Sequence, residues 1–127
     1  MRGVLNVKLI SASGLTDSDG IGNKSDPYVR LSVDSNQYQQ STTKSGTLNP
    51  VFNETFQFFL NGDQHVLYVE CKDKDLIHDD KLGKGKLDIR ELFSRPGQEV
   101  DYVVELKRHI IRSGGRVNVR IQFLPQY

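Results

Sequence analysis

Apolar residues recur at every second position along most of this chain. Leu5, Val7 and Leu9 alternate with Asn6 and Lys8, and Val29, Leu31 and Val33 alternate with Arg30 and Ser32. Phe56, Phe58 and Leu60 share one face of a third run, and Leu67, Val69 and Cys71 share one face of a fourth. Tyr102, Val104 and Leu106 continue the pattern, and Val117, Val119, Ile121 and Phe123 close it. A period of two sends side chains alternately to opposite faces of an extended backbone, so each run is a strand with one buried and one wet face. Two shorter candidates, 37–43 led by Tyr38 and 84–89 with Leu87 and Ile89, bring the expected number of strands to eight. Clusters of Gly, Asn, Asp and Pro separate them. Pro27 and Pro50 stand at strand starts, where a missing amide donor costs least. One short helical turn is expected over Asp88–Ser94, ended by Pro96-Gly97. The pattern predicts a single all-β domain over residues 1–127, an eight-stranded antiparallel β-sandwich without internal repeat or linker.

The order of the strands already carries geometry. If each connection reverses the chain, successive connections alternate between the two ends of the sandwich. The first, third, fifth and seventh, residues 11–26, 44–51, 72–82 and 107–115, then share one end. The first reads Thr16-Asp17-Ser18-Asp19-Gly20-Ile21-Gly22-Asn23-Lys24-Ser25-Asp26, and the fifth reads Lys72-Asp73-Lys74-Asp75-Leu76-Ile77-His78-Asp79-Asp80-Lys81-Leu82. Seven of the sixteen acidic residues of the chain lie in these two segments. Carboxylates crowded this closely repel one another unless a cation stands among them.

Composition narrows the partners. A chain of 127 residues is one domain by length, and 36% hydrophobic residues suit a packed globule. A net charge of +1 gives no bulk attraction for nucleic acid, so charge-driven binding has to come from local patches. No apolar run approaches the ~20 residues needed to span a bilayer, and no basic segment followed by an apolar run marks a signal peptide. Cys71 is the single cysteine and cannot form an intrachain disulfide; it falls on the apolar face of its strand and points to a cytoplasmic setting.

Calcium is the cation these donors suit. It takes about 6–8 oxygen ligands from carboxylates and carbonyls and tolerates irregular loops. Zinc calls for His or Cys, and His78 stands alone among the aspartates. Single aspartates also serve as turn residues that cap backbone amides, and that reading stays open for Asp17 and for one of Asp79 and Asp80. Asp17-Ser18-Asp19 opens like an EF-hand loop, but Ile21 and Tyr28 occupy positions where that motif needs an oxygen donor and a bidentate Glu.

Four segments together, Gly3–Leu15, Ser25-Asp26-Pro27-Tyr28, Thr47-Leu48-Asn49-Pro50-Val51-Phe52-Asn53-Glu54 and Asp73-Lys74-Asp75 through Asp80-Lys81-Leu82-Gly83, resemble the C2 domain. That family comprises calcium- and phospholipid-binding modules of signalling and membrane-trafficking proteins. The resemblance covers almost the whole chain, and its first and last strands look like the circularly permuted, type II form of the Greek-key sandwich. It implies a module of a longer protein. Carried over by motif, it implies Asp26, Asp73 and Asp75 as metal ligands, with Asp19 and Asp80 completing the set. The family's upstream aspartate falls on Gly20 here, so Asp19 matches across one inserted residue, and the second loop is one residue short. Asp17 and Asp79 stand as additional candidates.

The implied function is calcium-dependent binding to anionic phospholipid such as phosphatidylserine, by a monomeric cytoplasmic domain that becomes a peripheral membrane protein. Neutralising the carboxylate cup lets anionic headgroups approach and complete the coordination. An incomplete protein cup implies weak affinity for calcium alone, about 10⁻⁴–10⁻³ M. Ile21, Leu76 and Ile77 either pack on the sandwich rim or enter the membrane, where each is worth about 1.5–3 kcal/mol. Lys107, Arg108 and Arg112 flank Ile110-Ile111 in the seventh connection and suit an anionic surface at about 1 kcal/mol each, unless this is simply a solvated hairpin. The phosphoinositide groove of some family members corresponds to 37–43, which here carries no basic residue before Lys44. No nucleophile motif or phosphate-cradling glycine loop supports an enzyme. A calcium-independent protein-interaction module is the alternative.

Overall fold

The computed structural model describes residues 1–16, 25–74, 79–109 and 112–126. Eight strands follow in order: β1 (Arg2–Ser13), β2 (Pro27–Ser32), β3 (Tyr38–Gln40), β4 (Val51–Asn61), β5 (Val66–Asp73), β6 (Asp80–Asp88), β7 (Glu99–His109) and β8 (Arg112–Pro125). A 3₁₀ helix, Arg90–Ser94, lies between β6 and β7 where the helical turn was expected. The strands hydrogen-bond in the order β3-β2-β5-β6-β7-β8-β1-β4, with every pairing antiparallel.

β6 and β7 meet through a single register pair, Lys84 with Lys107. The ribbon folds over at that junction into two four-stranded layers, β3-β2-β5-β6 and β7-β8-β1-β4, in the Greek-key manner. The fold-over demands close approach: a Cβ added to Gly83 would lie 3.0 Å from Gly114 Cα and 3.0 Å from Leu106 Cβ. The inward residues of both layers form one core. Leu5, Val7, Leu9, Val29, Leu31, Phe58, Leu67, Val69, Val117, Val119, Ile121 and Phe123 are almost or entirely removed from solvent. Each such side chain contributes about 1.5–3 kcal/mol of transfer free energy. Leu92 from the 3₁₀ helix and Ile89 before it close this core at the end away from the Asp-rich loops.

The end strands β3 and β4 close the opposite flank through side chains. The Gln37 carboxamide accepts from the Phe59 N–H at 2.8 Å and donates to the Phe59 carbonyl at 2.5 Å, while Glu54 accepts from the Thr42 N–H at 3.0 Å and its hydroxyl at 2.6 Å. β3 is shorter than the 37–43 expected. Beyond Gln40 the Ser41 hydroxyl replaces a main-chain acceptor for the Val29 N–H, at 2.9 Å, and regular pairing ends. β6 begins four residues earlier than the apolar pattern of 84–89 suggested, because Asp80 and Lys81 extend the ladder with β5 through polar residues that carry no hydrophobic period.

Candidate metal centre

The four odd-numbered connections do meet at one end. The Gly14 N–H donates to Asn49 Oδ1 at 3.0 Å, and the Leu15 N–H donates to the Leu48 carbonyl at 3.2 Å, joining the first connection to the third. Thr16 and Ser25 bracket the first Asp-rich loop. The buried Ser25 hydroxyl donates to the Thr16 carbonyl at 3.3 Å, which draws the neck of the loop together. Arg108, from the end of β7, donates a guanidinium N–H to the Thr16 hydroxyl at 2.9 Å and so braces that neck from the seventh connection.

Asp26 is the hub. Its N–H donates to Asp73 Oδ1 at 2.8 Å, and its carbonyl accepts from the Lys74 N–H at 3.0 Å. Its own Oδ1 accepts from the Gly46 N–H at 2.7 Å. One residue thus ties the first, third and fifth connections together. Pro27, next to it, starts β2 opposite Asp73, where it has no amide to offer and none is needed.

Asp80 is the register partner of Asp73 across β5 and β6, so the two carboxylates leave the ladder on the same face. A bulge makes this so. Cys71 pairs with Gly83, but Lys72 pairs with Lys81, so Leu82 is the extra residue. An uninterrupted ladder would have set Lys81, not Asp80, against Asp73. Asp79, one residue earlier, turns to the other face. There it accepts a hydrogen bond from the Tyr28 hydroxyl and lies 3.7 Å from the Lys74 ammonium. Tyr28 sits on the outward face of β2, alternating with the core residue Val29, yet it is only 4% exposed. That burial, reinforced by the Asp79 carboxylate, pushes its phenol up to about 12.

Of the other candidates, Asp17, Asp19, Ile21, Asp75, Leu76 and Ile77 lie outside the described residues. Lys107 is exposed, Arg108 is half-buried, and Arg112 opens β8 with its side chain outside those described. Among the described residues, no three His, Cys, Asp or Glu side chains gather closely enough to hold a metal ion. The donors that are described, Asp26, Asp73 and Asp80, are hard carboxylates of the kind calcium takes. Cys71 faces the core and is fully buried, and that burial, with the Asp73 carboxylate beside it, pushes its thiol up to about 12. The donor set therefore fits calcium.

Tyr28, Lys74, Gly46 and Thr16 were not read from the sequence as supports of this site. Tyr28 left a signal: an aromatic at a solvent-facing strand position needs a cover. A shallow cavity of about 330 Å³ on the outer face of β2-β5-β6 was also missed. Arg30 stacks on Tyr38 at 3.9 Å there, beside Tyr68, Glu70 and Lys84. The basic residues of this face come from β2 and β6, not from 37–43.

A family model described as C2 domain matches residues 3–104. "Elicitor-responsive protein 1" of Oryza sativa subsp. japonica is 36% identical over 99 residues, which cover 72% of this chain and 62% of that protein. The match thus spans less than two thirds of that relative's length. A C2 domain of a plant Extended Synaptotagmin 1 superposes with a TM-score of 0.85 at 28% identity, covering 98% of this chain and 96% of that one. A calcium-bound structure of two C2 domains of Extended-Synaptotagmin 2 superposes with a TM-score of 0.79 at 28% identity, covering 95% and 45%.

Proposed function

The chain belongs to the C2 domain family of membrane-binding modules, and on that premise we propose that it docks the protein carrying it on anionic phospholipid in response to calcium. The observation that carries this reading is the Asp26–Asp73 link, which brings the two Asp-rich connections to one end of the sandwich. Asp26, Asp73 and Asp80 would hold the ion, together with Asp19 and Asp75. Calcium, when bound, supplies positive charge and coordination sites that a lipid phosphate can complete.

The chain's own residues do the rest. The backbone bonds around Asp26 hold it and Asp73 together on neighbouring strand ends, so these two donors are positioned before an ion arrives. Lys107, exposed at the same end, adds attraction for an anionic surface. Ile21, Leu76 and Ile77 are the candidate apolar contacts. The calcium-bound extended-synaptotagmin structure supports the reading by likeness of fold. The domain is proposed to work as a cytoplasmic monomer without catalytic activity.

Co-sedimentation with phosphatidylserine vesicles, with calcium and with chelator, tests it. Binding in calcium that is lost in chelator is expected. Equal binding in both would replace the switch with a calcium-independent membrane module. Binding in neither would leave the protein-interaction reading.

A further inference from the structure

Two adjacent aspartates, Asp79 and Asp80, compete for one place in the cup, and a slip of a single residue between β5 and β6 would exchange them. Register in a strand is held by what each face must bury or pair. Here the bulge at Leu82 releases the ladder from the register that Cys71 and Gly83 set, so something beyond it has to hold the new one. The Tyr28–Asp79 bond is placed to do so. Tyr28 belongs to β2, two residues from the Asp26 hub, and its hydroxyl reaches across to the residue that leads into β6. Lys74 completes the clamp: its ammonium lies 3.7 Å from the Asp79 carboxylate and 5.9 Å from the centre of the Tyr28 ring. Its N–H is held by the Asp26 carbonyl at 3.0 Å. A carboxylate occupied by a phenol and an ammonium on the outer face is turned away from Asp73, whereas Asp80 stands opposite it.

We propose that Asp79 is not a cation ligand but the anchor of a Tyr28–Asp79–Lys74 clamp that fixes the β5–β6 register, so that Tyr28 is a positioning residue that turns Asp80 toward Asp73. The inference rests on the cation-site reading above, and its test separates the two.

The clamp is measured first in chelator, by thermal unfolding of Tyr28→Phe, Asp79→Asn and the double variant. Each single substitution lowers the melting temperature, and the double lowers it no further than the larger single effect. Additive effects would overturn the clamp whatever the metal does. Calorimetric calcium titrations follow on the same proteins. Tyr28→Phe and Asp79→Asn weaken calcium binding alike, each by about tenfold, the scale of losing an outer support of a metal ligand. The double variant matches them, and Asp80→Asn costs more than any of the three. If Asp79→Asn abolishes binding while Tyr28→Phe leaves it unchanged, Asp79 is a ligand and the proposal fails. If the wild type binds no calcium but the two substitutions remain coupled in chelator, the cation-site reading fails and the clamp stands as a register device. Where Tyr28→Phe does not fold, Lys74→Gln with and without Asp79→Asn runs the same cycle.

Discussion

β2 is flanked by an aspartate at each end, and the two live in opposite surroundings. Asp34, just beyond its C-terminal end, is surrounded by donors. Its carboxylate accepts from the Asn36 and Gln37 N–H groups at 2.8 Å each, from Gln64 Nε2 at 2.8 Å and from Gln37 Nε2 at 3.5 Å. The Gln64 amide foremost, with the Asn36 N–H, holds that carboxyl below its ordinary range. Asp26, just before Pro27, accepts one backbone N–H and turns its own N–H toward a second carboxylate, Asp73. At one end of the sandwich four donors hold a single acid; at the other, two acids from separate connections are tied together through the Asp26 N–H. The number of aspartates near a strand end therefore says little about function. What else points at them separates a turn role such as that of Asp34 from the cation role proposed for Asp26 and Asp73.

The sharpest way to break that comparison is to neutralise acids at both ends. Replacing Asp26 and Asp73 together by Asn should weaken calcium binding by well over about tenfold, since affinity follows ligand charge, and abolish calcium-dependent vesicle binding. Asp34→Asn should leave both unchanged. A similar calcium response in the wild type and both variants would mean that the two ends are not different in kind.

A middle-sized effect belongs to Asp34 alone. Asp34→Ala strands several donors and should cost about 1–2 kcal/mol in urea unfolding at neutral pH. Because the folded carboxyl is depressed, its contribution is fully present above the usual carboxylate range and disappears as pH falls through that range and below it. The variant and the wild type should therefore converge in stability as the solution is acidified. A difference that persists unchanged to low pH would show that the carboxylate's charge is not the cause.

The smallest effect tests the rim. Lys107→Gln should weaken binding to anionic vesicles by about 1 kcal/mol at low salt, with no change in calcium affinity measured without lipid. Arg108→Gln should differ from it, because Arg108 also braces the Thr16 neck at 2.9 Å. It should lower calcium affinity even when lipid is absent. Identical behaviour of the two variants would make Arg108 an ordinary surface charge.

Much of this architecture was legible beforehand. The alternation that placed Leu5, Val29, Phe58, Val69, Val104 and Val119 inside is a local property, and all of them are buried. Strand order then put four connections at one end by parity, which the hydrogen bonds among Gly14, Asn49, Thr16, Asp26 and Lys74 bear out. The helical turn begins two residues later than expected, at Arg90, and ends at Ser94 as expected, within the usual variation of helix ends. β3 was overextended because a run of Gln and Thr has no hydrophobic period to mark its end, and Ser41 took over a backbone partner. The cover over Tyr28 was invisible, since it comes from residues more than forty positions away.

The sequence by itself determined the class of fold, the faces of the strands and the end at which the odd-numbered connections meet, because alternation and chain reversal depend only on near neighbours and order. It could not show which way Asp79 and Asp80 face. Two identical side chains in adjacent positions carry the same local information, and their facing depends on the bulge at Leu82, which is a property of the pairing between β5 and β6. Nor could it show that Lys107 stands exposed at the rim while its neighbour, Arg108, holds the neck of a loop ninety-two residues away. Those distinctions arise only when separate strands are brought into contact, since a hydrogen bond between distant residues leaves no period in the chain.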